Sequence, residues 1–141
     1  RDRLFLFLIS EALGGVLNGF LADRFGARRV LFFSLLLSSP LIYLFLYAPR
    51  AWSHLLVIPL GIFLGGLIPV VTFTAQSLLS GSTAMASGFA LGGQFTAGGI
   101  GAAVTGFLAD RFGLHTSLEL LALLPLVAAL FSLGLPRKKE G

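Results

Sequence analysis

Residues Gly19–Arg29 read GFLADRFGARR, and Gly106–Gly113 read GFLADRFG once more. Asp and Arg are scarce in this chain, where only 11% of residues are charged, yet both recur in register within the eight identical residues. A shared low-complexity origin does not explain that. Each copy closes one apolar run and precedes the next. Gly26 permits the positive φ that a tight turn between antiparallel helices requires. Asp23 stands where one helix ends, and Arg28 and Arg29 open the next.

Around these turns lie five apolar runs: Leu4–Ala22, Val30–Ala48, Leu55–Gln76, Ala86–Leu108 and Ser117–Leu135. Each approaches the roughly twenty residues a helix needs to cross about 30 Å of hydrocarbon. The ten-residue alternating segments of a membrane barrel are absent, so the expected fold is all-α, with five transmembrane helices. Short connections make consecutive helices antiparallel. Three spans separate the copies of GFLADRFG, an odd number, which assigns them to opposite membrane faces. This is the pattern of an inverted-topology repeat, a building principle of secondary transporters.

Composition agrees. The 141 residues are 56% hydrophobic, with a mean hydropathy of +0.94. So few charges could not cover a water-soluble domain, and a disordered chain is excluded by the same numbers. There is no cysteine, hence no disulfide, thiolate metal site or cysteine nucleophile. The net charge of +4 falls in short clusters between apolar runs, which suits a lipid bilayer as partner and not nucleic acid. An apolar run opens almost at Arg1, so the sequence reads as part of a longer protein. The first run lacks a small-x-small cleavage site and is not a signal peptide. With the Asp23–Arg29 loop and the tail 136–141 inside, the inner face holds Arg24, Arg28, Arg29, Arg137, Lys138 and Lys139. The outer face holds Arg1, Arg3, Arg50 and Arg111. The positive-inside rule therefore puts the C-terminus in the cytoplasm.

The pattern Gly19-x-Leu21-Ala22-Asp23-Arg24-x-Gly26-x-Arg28-Arg29 resembles the signature loop of the major facilitator superfamily, found in degenerate form after its eighth span. The second copy, with Gly106, Asp110, Arg111 and Gly113, lacks the trailing arginines and continues Leu114-His115-Thr116. It is similar to the loop between the eleventh and twelfth spans. The resemblance implies spans eight to twelve of a twelve-helix fold, with the N-terminal spans lying outside this sequence. A second resemblance covers Pro69–Pro136. Ala75-Gln76-x-Leu78-Leu79, Ala86-Ser87-Gly88, the glycine-rich fourth run and Ala109-Asp110-x-x-Gly113 resemble the fosmidomycin-resistance branch of the superfamily. That branch usually carries charge or proline after the glutamine, where this chain has Ser77, Ser80 and Ser82. The resemblance implies proton-driven efflux of a drug-like or small anionic molecule from the cytoplasm across the inner membrane. It also implies a conformational-switch loop comprising Gly19, Asp23, Arg24, Gly26, Arg28 and Arg29. From physics alone the same loop also reads as a positive-inside anchor.

The glycines Gly88, Gly92, Gly98 and Gly106 recur at helix-packing spacing, as do Gly15 with Gly19 and Gly61 with Gly65. Pro40, Pro59, Pro69 and Pro125 sit inside apolar runs and are expected to kink or unwind them. Polar groups within the spans are few. Glu11 reads either as a proton-coupling or substrate-contacting group, or as a rim carboxylate paired with Arg1 or Arg3. Gln94 can meet a polar substrate or another helix, and Gln76 can cap or anchor near the inner end; Asn18 is equally open. Ser34, Ser38 and Ser39 read as helix-packing hydroxyls.

Enzyme readings fail on inventory. His54 and His115 lie in separate loops without HExxH spacing, and no GxxxxGK[ST] is present. No cofactor and no metal are implied. The reading is a transporter fragment whose partners are the bilayer, a small-molecule substrate and protons. A sugar or metabolite facilitator of the same fold, and a small non-transporting assembly protein, are the alternatives.

Overall fold

A computed structural model describes residues 2–79 and 81–136. Arg1, Ser80, Arg137, Lys138 and Lys139 lie outside the described residues. The described chain is helical throughout: α1 (Asp2–Phe25), α2 (Ala27–Tyr47), α3 (Arg50–Gly65), α4 (Leu67–Leu78), α5 (Thr83–Phe112) and α6 (Leu114–Ser132). α3 and α4 form one interrupted rod. Three helices and that rod are long and apolar enough to cross a membrane: α1, α2, α6 and Arg50–Leu78. The 30-residue α5 is long enough, but it is not among these. Its seven glycines dilute the apolar content that the other helices draw from Leu, Ile, Val and Phe.

The interruption at Gly66 has a chemical cause. Pro69 has no N–H to offer the Gly65 carbonyl, and its ring crowds that same carbonyl. The Gly66 N–H bonds to Leu64 O instead of continuing the ladder. Pro40, Pro59 and Pro125 interrupt nothing, since each lies within a continuous helix. Of the four prolines expected to disturb their helices, the one preceded by Gly65 and Gly66 marks the break. Elsewhere side chains help at proline turns: Ser39 Oγ donates to Ala122 O at 2.6 Å, in the turn before Pro125.

The interior is built from small side chains. Ser38, Ser117 and Ala122 are fully buried, Ser39, Ala86 and Ala129 nearly so, whereas Phe5, Phe89, Phe95 and Phe131 point outward. This inverts the soluble pattern. A helix in lipid gains little by hiding Phe from a hydrocarbon surround, and gains by bringing backbones together over Ser, Ala and Gly. Some buried hydroxyls are satisfied within their own helix, as Ser38 Oγ is by Ser34 O at 2.6 Å and Ser132 Oγ by Ala129 O at 2.6 Å, and others reach a neighbouring helix, as Ser39 and Ser34 do.

α1 runs parallel to α3, and these two share the most extensive interface; α2 lies antiparallel to α6. At the α1–α3 crossing the backbones touch. A Cβ added at Gly14 would sit 2.3 Å from Ile62 O, and one at Gly65 would sit 2.0 Å from Glu11 O. Gly61 and Gly66 are as tightly confined, the first against Ser10 and the second against Asn18. Among the described residues no neighbouring helix meets Gly88, Gly92, Gly98 or Gly106, the glycines expected to seat one. No described atom lies within 4 Å of a Cβ built at any of them. Spacing identifies a stripe of small residues but not the helix that faces it.

Candidate functional site: the paired glycine turns and the cavity beside Gly26

Both copies of GFLADRFG fold alike. Gly26 has φ 92° and ψ 140°, and Gly113 has φ 87° and ψ 153°. Gly26 N–H donates to Ala22 O at 2.9 Å, and Gly113 N–H donates to Ala109 O at 2.9 Å. Each glycine carbonyl then accepts from the next helix, Gly26 O from Val30 N at 3.3 Å and Gly113 O from Ser117 N at 3.2 Å. One residue thus ends one helix and starts another, with a positive φ that is strained for a residue bearing a Cβ.

The turns lie at opposite ends of α2. Its C-terminal Tyr43 donates to Glu119 O at 3.0 Å, and Tyr47 OH hydrogen-bonds the Glu119 carboxylate. Both contacts fall within the first two turns of α6, just after Gly113. At the other end, Val30 and Leu31 of α2 cluster with Ala22 and with Leu135 beyond α6. A 21-residue helix is about 31 Å long, a bilayer's hydrocarbon depth. The basic residues divide accordingly. Arg24, Arg28 and Arg29 flank Gly26, while Arg3, Arg50 and Arg111 belong to the Gly113 end. There Arg3 Nε donates to His54 Nε2 at 3.4 Å, and Arg3 also donates to Arg50 O at 3.3 Å. His115 Nδ1 lies 3.2 Å from Glu119 Oε1. Arg24 and Arg111, equivalent in the repeat, each lie over a phenylalanine ring, Phe25 and Phe107.

Beside the Gly26 turn is a cavity of about 550 Å³ between α1, α4 and α5. Gly19, Ala22 and Asp23 line it from α1, Thr72, Phe73 and Gln76 from α4, and Leu91 from α5. The structure thus brings together Gly19, Asp23 and Gln76 from the sequence-derived set. Asp23 is engaged within the structure. Gln76 Nε2 donates to Ser87 Oγ at 2.6 Å, and Gln94 Nε2 approaches Thr72 Oγ1 at 3.5 Å. Two amide–hydroxyl pairs therefore stitch α4 to α5 along the cavity edge. Thr72 and Ser87 were not singled out as site residues from sequence. The i, i+4 relation of Thr72 to Gln76 is the signal that places both on one face.

Glu11 is not part of this group. It lies half-buried on α1, about 18 Å along the axis from Asp23, where its backbone meets Gly65. Arg3, one of its two expected partners, is turned to His54 and Arg50; Arg1 lies outside the described residues. Gly106, Asp110 and Arg111 are exposed at the opposite end, remote from the cavity. Asn18, ambiguous in sequence, is 4% exposed and connects three helices. Its amide donates to Gly14 O at 2.8 Å and Ile62 O at 2.6 Å, and accepts from Ser34 Oγ at 3.2 Å.

Apolar helices packed over small residues, a broken span and a turn repeated at both ends define an all-α membrane protein. The model of the Major Facilitator Superfamily matches residues 4–141, and the chain belongs to that family. It is 37% identical over 132 residues to the fosmidomycin resistance protein of Escherichia coli (strain K12), covering 91% of this chain and 32% of the relative. It is 36% identical over 130 residues to YfnC, an uncharacterized MFS-type transporter of Bacillus subtilis (strain 168), covering 92% of this chain and 32% of the relative. The chain thus spans about a third of the length of the curated relatives it matches. No solved structure matches it.

Proposed function

We propose that this chain is the C-terminal part, spans eight to twelve, of a proton-coupled exporter of drug-like or small anionic molecules. α5 crosses the inner membrane with the other four rods, and the C-terminus is cytoplasmic. The observation that carries the reading is the 37% identity to a fosmidomycin resistance protein across nearly the whole chain. The inverted pair of glycine turns supports alternating access, because each end of the bundle then owns an equivalent hinge. In this reading Gly19, Asp23, Arg24, Gly26, Arg28 and Arg29 form the inner switch, and Gly106, Asp110, Arg111 and Gly113 its outer counterpart. Gln76 and Gln94 border the substrate path, and Glu11 is the proton-carrying group, since a carboxylate within a span is costly unless used. The open glycine face of α5 packs against the N-terminal spans.

Expression of the full-length parent in a fosmidomycin-sensitive bacterium tests this. The expected result is lower accumulation of labelled fosmidomycin, reversed by a proton uncoupler. Equal accumulation with and without the transporter would overturn the substrate assignment, and uncoupler-insensitive efflux would overturn the proton coupling.

A further inference from the structure

The rod formed by α3 and α4 is held very differently on either side of Gly66. Up to Gly66 it is in backbone contact with α1, through Gly14 on Ile62, Gly61 on Ser10 and Gly65 on Glu11. Beyond Gly66 the backbones part, although Val70 of α4 stays buried in a cluster with Ala22 of α1 and Val30 and Leu31 of α2. α4 borders the 550 Å³ cavity, and a Cβ built at Gly19, the next α1 glycine along, meets nothing within 4 Å. One half of the rod is therefore fixed to α1, while the other half has space beside it.

Asn18 stands at the boundary. A Cβ at Gly66 would lie 2.1 Å from Asn18 Cβ, so this side chain rests directly on the break. Its Nδ2 donates to Ile62 O at 2.6 Å, the acceptor that a continuous helix would offer to Gly66 N–H. The Gly66 N–H is turned to Leu64 O. The second Nδ2 bond, to Gly14 O, and the Ser34 Oγ bond to Oδ1 fix the amide from α1 and α2. Donors and acceptor are thus all used, in a site with almost no exposure. A side chain so placed substitutes for the main-chain bond that the break removes.

We propose that Asn18 is a positioning residue that clamps the interrupted span at Gly66 and so holds α4 in one position beside the cavity at Asp23. Through the Gln76–Ser87 and Gln94–Thr72 pairs, α5 is held with it. The clamp is a statement about Asn18 and α4; its use in transport rests on the exporter reading above.

Spin labels are introduced at Phe20→Cys and Phe73→Cys, both exposed, on α1 and on α4 beside the cavity, in a parent freed of any other cysteine. The distance distribution between them is measured in the full-length parent in nanodiscs, beside export in cells. With Asn18 intact a single narrow distribution is expected. Asn18→Leu, which keeps the branched outline and removes all three bonds, is expected to broaden or split it and to reduce export at least three-fold. Ser34→Ala removes one bond and serves where Asn18→Leu fails to accumulate; it is expected to broaden the distribution to a smaller degree. An unchanged distribution in whichever variant accumulates overturns the clamp, whatever export does. A broadened distribution with no export in the unsubstituted parent supports the clamp and removes the transporter reading instead.

Discussion

Gly65→Ala is the substitution for which the structure gives the sharpest expectation. The new Cβ would lie 2.0 Å from Glu11 O and 2.7 Å from both Glu11 C and Cα. All three are main-chain atoms in the middle of a 24-residue helix, so no side chain can swing aside. Reaching the 3.4 Å of ordinary contact requires α1 and α3 to separate by about 1.4 Å. A gap of that size forfeits half or more of each dispersion contact along the crossing. Overpacking of this kind costs about 1–3 kcal/mol. Lifting Ile62 O from Asn18 Nδ2 adds about 0.5–1 kcal/mol, the usual worth of an interhelical hydrogen bond in a membrane. The expected destabilisation is therefore roughly 2–4 kcal/mol. The assay is unfolding of the purified full-length parent in mixed micelles, with membrane abundance read in parallel. Gly19→Ala is the matched control on α1, because nothing described lies near its Cβ; it should change stability by less than about 1 kcal/mol. If Gly65→Ala unfolds at the same denaturant concentration as Gly19→Ala, the backbone crossing is not what holds α1 to α3.

Four further outcomes are expected. Asp23→Asn in the full-length parent should retain wild-type membrane abundance and lose most export, since a charged hydrogen bond at a helix end, about 1 kcal/mol, shifts a two-state population several-fold; full export would make Asp23 a topological anchor only. Cysteines at positions 54 and 115 should react with an impermeant thiol reagent in intact cells and one at 28 should not; labelling at 28 but not 54 would invert the orientation. Gly26→Ala and Gly113→Ala should each cost about 1–3 kcal/mol because of their positive φ, and unfolding measurements showing no loss at either would refute the shared turn geometry. Glu11→Gln should abolish the dependence of export on the proton gradient while leaving the protein folded; retained coupling would remove Glu11 from the proton path.

The helices were legible in the sequence because membrane spans announce themselves twice, by apolar length and by the charged or proline-bearing breaks between runs. The positive φ of Gly26 could be read from its place between Phe25 and the arginines, and that of Gly113 by identity. The break at Gly66 was legible only in part. Four prolines were candidates, and only the conjunction of Pro69 with Gly65 and Gly66 relaxes the backbone enough to interrupt it. The tight crossing was less legible still. Gly61 and Gly65 were recognised as a pair, but their partners Ser10 and Glu11 depend on the rotation of α1 about its own axis. No one-dimensional spacing encodes that rotation. For the same reason the cavity joins Gln76 to Asp23, residues more than fifty positions apart, and leaves Glu11 outside.

The two GFLADRFG turns have a consequence for how such a bundle is inserted into a membrane. Eight identical residues adopt one backbone at both of its poles, so the octapeptide is indifferent to which aqueous compartment surrounds it. It therefore carries no address. In the proposed topology the two copies differ in the three residues that follow them: Ala27-Arg28-Arg29 after the first, Leu114-His115-Thr116 after the second. Together with the basic tail, those two arginines would distinguish the poles, and a chain carrying them after both copies would hold conflicting instructions about which way to face.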